Sequence, residues 1–485
     1  MQFDSLKYML FFPAVWAVYL LVPAASRWAV LLTASVFFYA ALKAPLLIAA
    51  WAFVVVISYV GGLRIAGCGE EAVRKRLLWA GIVANLGVLV GIKYLHLLVH
   101  ALLPTTNIGN QWFVTLGVSY YTLQAISYLV DLYLGTAEPE RHLGRFALYL
   151  GFFPKLLQGP IERSSNLLPQ LQVLRGFDYE NLRSGLLLFA WGLFKKVAVA
   201  NRLAVYVNTV YYDPHGYSGI TLAAATYMYA IQIYADFSGY TDMALGVARM
   251  FNISLTQNFN SPYLATSVAD FWRRWHISLS RWILDYIFKP LQIQWRDART
   301  LGVPAALMVT FLFSGFWHGV SLNFVVWGAL HGVFIASSVL IKPWQDRMYE
   351  HARLRNHPVR RFIQVFVTFN LVSFAWIFFR ANSLADAWYV VTHLFSTTST
   401  HVSPLAGQAS GVAALLSPVL MDKGMRPFAL MAFAVLLLFV GLYLKKRIRV
   451  QAQPLWLRWS LYYALLLALV YLSVYDNVGF VYFQF

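Results

Sequence analysis

The chain has 485 residues, of which 60% are hydrophobic, 17% aromatic and only 12% charged, with a mean hydropathy of +0.59. Soluble domains carry about 25% charged residues, so a water-exposed globule of this size is excluded, as are disordered, collagenous and coiled-coil chains. The composition indicates an all-α, polytopic integral membrane protein. The net charge of +18 comes from basic residues that punctuate apolar runs and form no continuous patch, which fits positive-inside topology and anionic lipid rather than nucleic acid.

Apolar stretches long enough to cross or nearly cross ~30 Å of hydrocarbon recur at 8–24, 28–42, 45–66, 77–103, 112–135, 182–207, 219–250, 302–320, 323–341, 362–379, 427–444 and 457–481. They predict about 11–12 transmembrane helices, some re-entrant or interfacial, around a central funnel or tunnel. The first run lacks a basic flank and a second follows at once, so it reads as a retained helix and not a cleaved signal. No repeat and no soluble insertion interrupts the series, so residues 1–485 read as one membrane domain. The single cysteine, Cys68, excludes intramolecular disulfides, iron–sulfur clusters and cysteine-based zinc sites, and no metal is expected.

Lysine and arginine set the orientation. Arg74-Lys75-Arg76, six basic residues within 342–361 and Lys445-Lys446-Arg447-Ile448-Arg449 all belong on the cytoplasmic side. Two spans separate the second cluster from the third, so the stretch 382–421 is expected outside. Its beginning, Asn382 to Phe395, reads as an amphipathic interfacial helix.

Ionisable residues inside apolar sequence are expensive and mark function by default. The segment Phe152-Phe153-Pro154-Lys155-Leu156-Leu157-Gln158-Gly159-Pro160-Ile161-Glu162-Arg163 is too punctuated for a plain span. It reads as a broken segment, tolerable where it lines a cavity. In the run 219–250, Asp236 shares a helical face with Tyr240, and Ser238 shares one with Asp242. Two carboxylates there require a protein-lined interior, with Arg or Trp on neighbouring helices as structural partners. The richest cluster runs from Asp270 to Trp282, with three Trp, three Arg, one Asp and His276. Asp270 can reach Arg273 or Arg274 at helical spacing, and Trp272 and His276 are expected on one face.

Downstream stand Trp317, His318 and Gly319, then Asn323, then His331. His318 has the most apolar neighbourhood of any histidine here, between glycines that allow close approach. His331 lies ~20 Å further along if the helix is continuous, which makes its default role structural. No phosphate-binding loop, dinucleotide fingerprint, nucleophile elbow or metalloprotease pair occurs. Two chemistries stay open on these residues: proton-coupled transport and acyl transfer with a neutral histidine as general base.

The motifs Phe-Phe-Pro…Gly-Pro-Ile at 152–161, Asp-Phe-Ser-Gly-Tyr-Thr-Asp-Met-Ala at 236–244 and Phe-Trp-Arg-Arg-Trp-His-Ile-Ser-Leu-Ser at 271–280 recur in a known family. So do Phe-Trp-His-Gly at 316–319, Trp-Gly-x-x-His-Gly at 327–332 and Phe-Phe-Arg-Ala at 378–381. Together they resemble the membrane-bound O-acyltransferases, nearest to the bacterial branch that acetylates alginate and other polysaccharides, with 234–332 as the most specific block. The resemblance implies that His318 is the catalytic histidine, His276 a second active-site residue and His331 a supporting one. Asp236, Asp242, Trp317 and Asn323 would line or support the site.

The resemblance also implies acetyl-CoA as a cytoplasmic donor substrate, with no bound cofactor. Arg273, Arg274, Arg281 and Lys289 are candidates for its phosphates by charge and position. The implied setting is the bacterial inner membrane, with a periplasmic acetyl-acceptor protein and a polysaccharide as partners. Alginate-type enzymes usually carry a Gly-Gly-Asn-Arg turn where this chain reads Gln292-Ile293-Gln294-Trp295-Arg296-Asp297, which leaves other acceptors open. These are peptidoglycan, cellulose, teichoic acid, lipid or protein.

Overall fold

A computed structural model describes residues 1–102, 116–217, 219–319, 321–351, 357–396, 425–448 and 450–474. Among them the chain is helical, with no strand, as hydrocarbon demands of a chain that must satisfy its own backbone. Among the described residues, seven helices are long and apolar enough to cross a bilayer: Pro45–Gly67, Glu71–Lys93, Thr300–His318, Leu322–His351, Pro358–Arg380, Arg426–Lys445 and Leu455–Leu472. Shorter apolar helices cover Leu6–Leu21 and Ala24–Ala40. The other runs expected to span form helices that are shorter or carry more polar residues, at Val118–Tyr133, Tyr179–Leu193 and Ile220–Met250. Within the stretch expected outside, 397–421 lies beyond the described residues, as do Arg353, Arg355 and Arg449 of the basic clusters.

The chain forms two compact units, Met1–Gly192 with Tyr240–Asn258, and Leu193–Gly239 with Phe259–Phe485. In the first, an aromatic core joins Phe3, Tyr8, Phe38 and Phe153. The punctuated segment is broken, as expected. Helix Leu143–Gly151 ends at Phe152, a four-residue helix Phe153–Leu156 follows, and every residue from 152 to 162 is buried. Its charges are held internally. Lys155 donates to the Gln124 side chain and to the Leu150 carbonyl, while Glu162 accepts from the Thr256 amide, the Thr256 hydroxyl at 3.1 Å and Asn166 at 2.6 Å.

The run 182–207, of which 193–207 belong to the second unit, is not one regular helix. A π-helical stretch, Phe194–Ala200, precedes Asn201–Tyr212, and it carries Lys195 and Lys196. Such widened turns accompany functional sites more often than chance. The expected amphipathic helix is present as Leu384–His393, capped by Ser383, with Ala387 and Val390 buried three residues apart and Trp388 exposed.

Candidate active site

Helices Arg299–His318 and Leu322–His351 form a hairpin, the first ending as Gly319 takes an extended backbone. The two helices touch backbone to backbone. A Cβ on Gly315 would lie 2.4 Å from the Phe324 carbonyl oxygen, and one on Gly328 would lie 2.4 Å from that of Phe311. Only glycine permits this crossing.

The crossing seats His318 in an aromatic box. Its buried ring meets Trp317 at 4.8 Å, Trp327 at 5.0 Å and Phe379 at 5.1 Å between centroids. Phe379 comes from the Phe378-Phe379-Arg380-Ala381 motif, whose Ala381 carbonyl accepts a 2.8 Å hydrogen bond from the Asn323 amide nitrogen. Asn323 therefore ties the hairpin to the Pro358–Arg380 helix, and that nitrogen is already committed.

The hairpin overturns the separation expected for His331. Because the chain folds back after Gly319, His331 is not a further ~20 Å along one helix. Instead Trp327 touches both histidines, His318 at 5.0 Å and His331 at 5.0 Å. The Trp272 indole N–H donates to His331 Nδ1 at 3.2 Å. An indole nitrogen can only donate, so His331 accepts there as a neutral ring.

His276 also sits differently from its expected place on the face of Trp272. Helix Val268–Trp272 stops, and His276 starts the next helix, Ile277–Ile283, with φ +43°. A left-handed histidine costs on the order of 1–3 kcal/mol and is held only where its surroundings over-determine it. Its buried ring meets Phe237 at 4.8 Å and Trp317 at 6.2 Å. Trp317 thus contacts both His276 and His318. In this stretch between spans, burial pushes the His276 imidazole down to about 3, so it is neutral.

A cavity of about 510 Å³ opens in the second unit, lined among others by Trp272, Arg273, Ile277, Arg281, Phe311 and Ser314. Two of the four candidate phosphate-binding residues, Arg273 and Arg281, reach it. The other two do not line it. Arg274 pairs with Asp270 at 3.0 Å, and Lys289 pairs with Asp285 at 2.8 Å. Partial burial pushes the Asp270 carboxyl up, but hydrogen bonds from Arg274 and the Thr266 amide, with both arginine charges, outweigh it and hold it below the ordinary carboxylate value. Arg273 lies 3.4 Å from the same carboxylate, with most of its side chain exposed.

Asp236 has a partner the sequence did not suggest. Lys196 Nζ lies 2.7 Å from its Oδ1, both side chains almost fully buried, and Lys195 donates to Ser238 at 2.9 Å. The signal was present as two lysines inside the apolar run 182–207, next to the candidate carboxylate run. Asp242 is only part-buried and belongs to the first unit. Ser314, one helical turn before His318 and given no role by the sequence reading, lines the cavity.

The sequence profile of the membrane-bound O-acyltransferase family matches residues 140–384. Over 419 residues the chain is 34% identical to a "Peptidoglycan O-acetyltransferase" of Helicobacter pylori, covering 78% of this chain and 76% of that one. Over 442 residues it is 33% identical to a "Probable alginate O-acetylase AlgI" of Pseudomonas aeruginosa, covering 88% and 82%. Similarity extends to a "Teichoic acid D-alanyltransferase" of Streptococcus thermophilus, 26% identical over 309 residues, covering 59% and 72%. The Phe-Trp-His-Gly turn that builds the aromatic box lies inside the matched region, and this chain belongs to the membrane-bound O-acyltransferase family and is an acyltransferase.

Proposed function

We propose that the protein transfers an acetyl group from cytoplasmic acetyl-CoA to a hydroxyl acceptor on the outer side of the bacterial inner membrane, for O-acetylation of an alginate-like exopolysaccharide. The observation that carries this reading is the cavity. Arg273 and Arg281 line it, its other walls are mostly apolar, and it includes Ser314, one helical turn before His318. Two guanidinium groups suit the phosphates of coenzyme A, and the apolar walls suit its uncharged arm.

In this reading His318 takes the proton of the attacking hydroxyl as its oxygen bonds to the thioester carbon. The carbon–sulfur bond breaks, and the proton passes to the departing thiolate, leaving an acetyl ester and free coenzyme A. His276, held next to Trp317, orients the acceptor side. The aromatic box keeps water from the thioester and limits hydrolysis. Coenzyme A cannot cross lipid, so only the acetyl group leaves the cytoplasmic face. The final polysaccharide is then reached through a periplasmic acceptor protein that docks on the outer stretch 382–421.

A peptidoglycan acceptor is the second reading, favoured by the departure at 292–297 and by the name of the Helicobacter pylori relative. The test has two arms. Purified protein should release free thiol from acetyl-CoA, and Arg273→Glu with Arg281→Glu should raise KM for that donor at least tenfold. A deletion strain should lose acetyl groups from its exopolysaccharide. Loss from muramic residues instead selects the second reading, and absence of thiol release overturns both.

A further inference from the structure

We infer that Ser314 is a donor-binding residue, its hydroxyl donating to the thioester carbonyl of the acyl donor inside the 510 Å³ cavity. This rests on the proposed donor site and assigns its inner end.

A serine within a helix usually returns its hydroxyl to the carbonyl four residues earlier. Thr310, on the same helix face, does so at 2.6 Å to Ala306. Ser314 does not. Its Oγ is buried, the residue is 1% exposed, and the atom has no hydrogen-bond partner among the described residues. A buried hydroxyl left unpaired costs about 1–3 kcal/mol, and the residue that carries this one lines the cavity.

Its position gives the ligand a direction. Ser314 and His318 are four residues apart on one helix, about 6 Å along the axis and on one face. Helical side chains lean towards the N-terminus, so the His318 ring leans back towards Ser314. Arg273 and Arg281 also line the cavity and carry its positive charge. A ligand with phosphates at one end and a carbonyl at the other matches these groups, and its carbonyl then lies next to the base. The hydroxyl donates to that oxygen in the ground state and more strongly as it gains negative charge in the transition state.

The experiment compares Ser314→Ala, Ser314→Thr and Ser314→Leu in the full-length protein in nanodiscs, with thermal unfolding recorded for each. Ser314→Ala should lower kcat/KM for acetyl-CoA about tenfold, the scale of one hydrogen bond. The inhibition constant of free coenzyme A, which has no thioester carbonyl, should not change. Ser314→Thr keeps the hydroxyl and should restore most of the loss. An unchanged kcat/KM in Ser314→Ala, or equal weakening of acetyl-CoA and free coenzyme A, overturns the inference while leaving the donor site standing. Ser314→Leu fills the cavity and should block both ligands. If it folds and leaves both unaffected, the donor site itself is elsewhere.

Discussion

Replacing Gly315 by alanine adds one methyl group at the crossing that seats His318. That carbon would sit 2.4 Å from the Phe324 carbonyl oxygen, against a comfortable carbon–oxygen contact of about 3.3 Å. Backbone cannot swing aside as a side chain can, so the two helices must part by roughly 0.9 Å to restore that contact. His318 lies three residues further along the displaced helix and would be carried away from Trp327 and Phe379. A misplacement of ~1 Å costs about 100-fold in rate, whereas overpacking costs about 1–3 kcal/mol in stability. The expected result is a fall in kcat of about 100-fold with a folded protein whose Tm drops by a few degrees. The assay is thiol release from acetyl-CoA alongside thermal unfolding. Gly91→Ala is the control, because nothing lies within 4 Å of a Cβ there, and helix propensity alone favours alanine. Wild-type kcat in Gly315→Ala, or an equal loss in Gly91→Ala, would refute the argument.

His318→Gln should abolish transfer with normal protein abundance, and retention of more than about a tenth of wild-type rate contradicts a general base whose loss costs ~10²–10⁴. His331→Gln should be milder than His331→Leu, because a glutamine oxygen can still accept from the Trp272 indole; equal effects in transfer assays would remove that bond from the account. Asp236→Asn should destabilise the protein by about 3–5 kcal/mol by leaving Lys196 charged and buried, while Lys196→Met with Asp236→Leu together should recover most of it in thermal unfolding; a double variant no better than the single one argues against the pair. In a Cys68→Ala background, a cysteine at Phe395 should react with an impermeant maleimide in intact spheroplasts and one at His357 only after lysis; the reverse pattern overturns the topology and the outward direction of transfer.

Long apolar runs carried the architecture because their length is a direct physical requirement of the bilayer. Pro45–Gly67 and Pro358–Arg380 fall within a few residues of their expected bounds. The broken segment at 152–163 was legible from its Pro and Gly punctuation, and Asp270 does meet Arg273 and Arg274. What escaped were the places where the chain turns. The separate runs 302–320 and 323–341 announced a break after His318, but not that the chain doubles back there, so His331 was placed ~20 Å from His318 where Trp327 in fact touches both. Likewise, His276 was put on a continuous face with Trp272, where a left-handed residue instead starts a new helix. Partner choice escaped as well. Asp236 was matched to Arg or Trp, while Lys196 satisfies it from a helix whose π turn no hydrophobic pattern reveals.

The Lys196–Asp236 pair also constrains how the protein is made. The lysine leaves the ribosome forty residues before the aspartate, and at about 5–20 residues per second that interval is roughly 2–8 s. During it, the segment carrying two lysines faces the insertion machinery with its charges unpartnered, and a charge at the centre of an isolated span costs about 2.5–3.5 kcal/mol on insertion. Entry into lipid is favoured only once the following helix supplies the carboxylate. The two segments are thus expected to insert together, and Asp236, expected to line or support the site, also carries its lysine partner into the membrane.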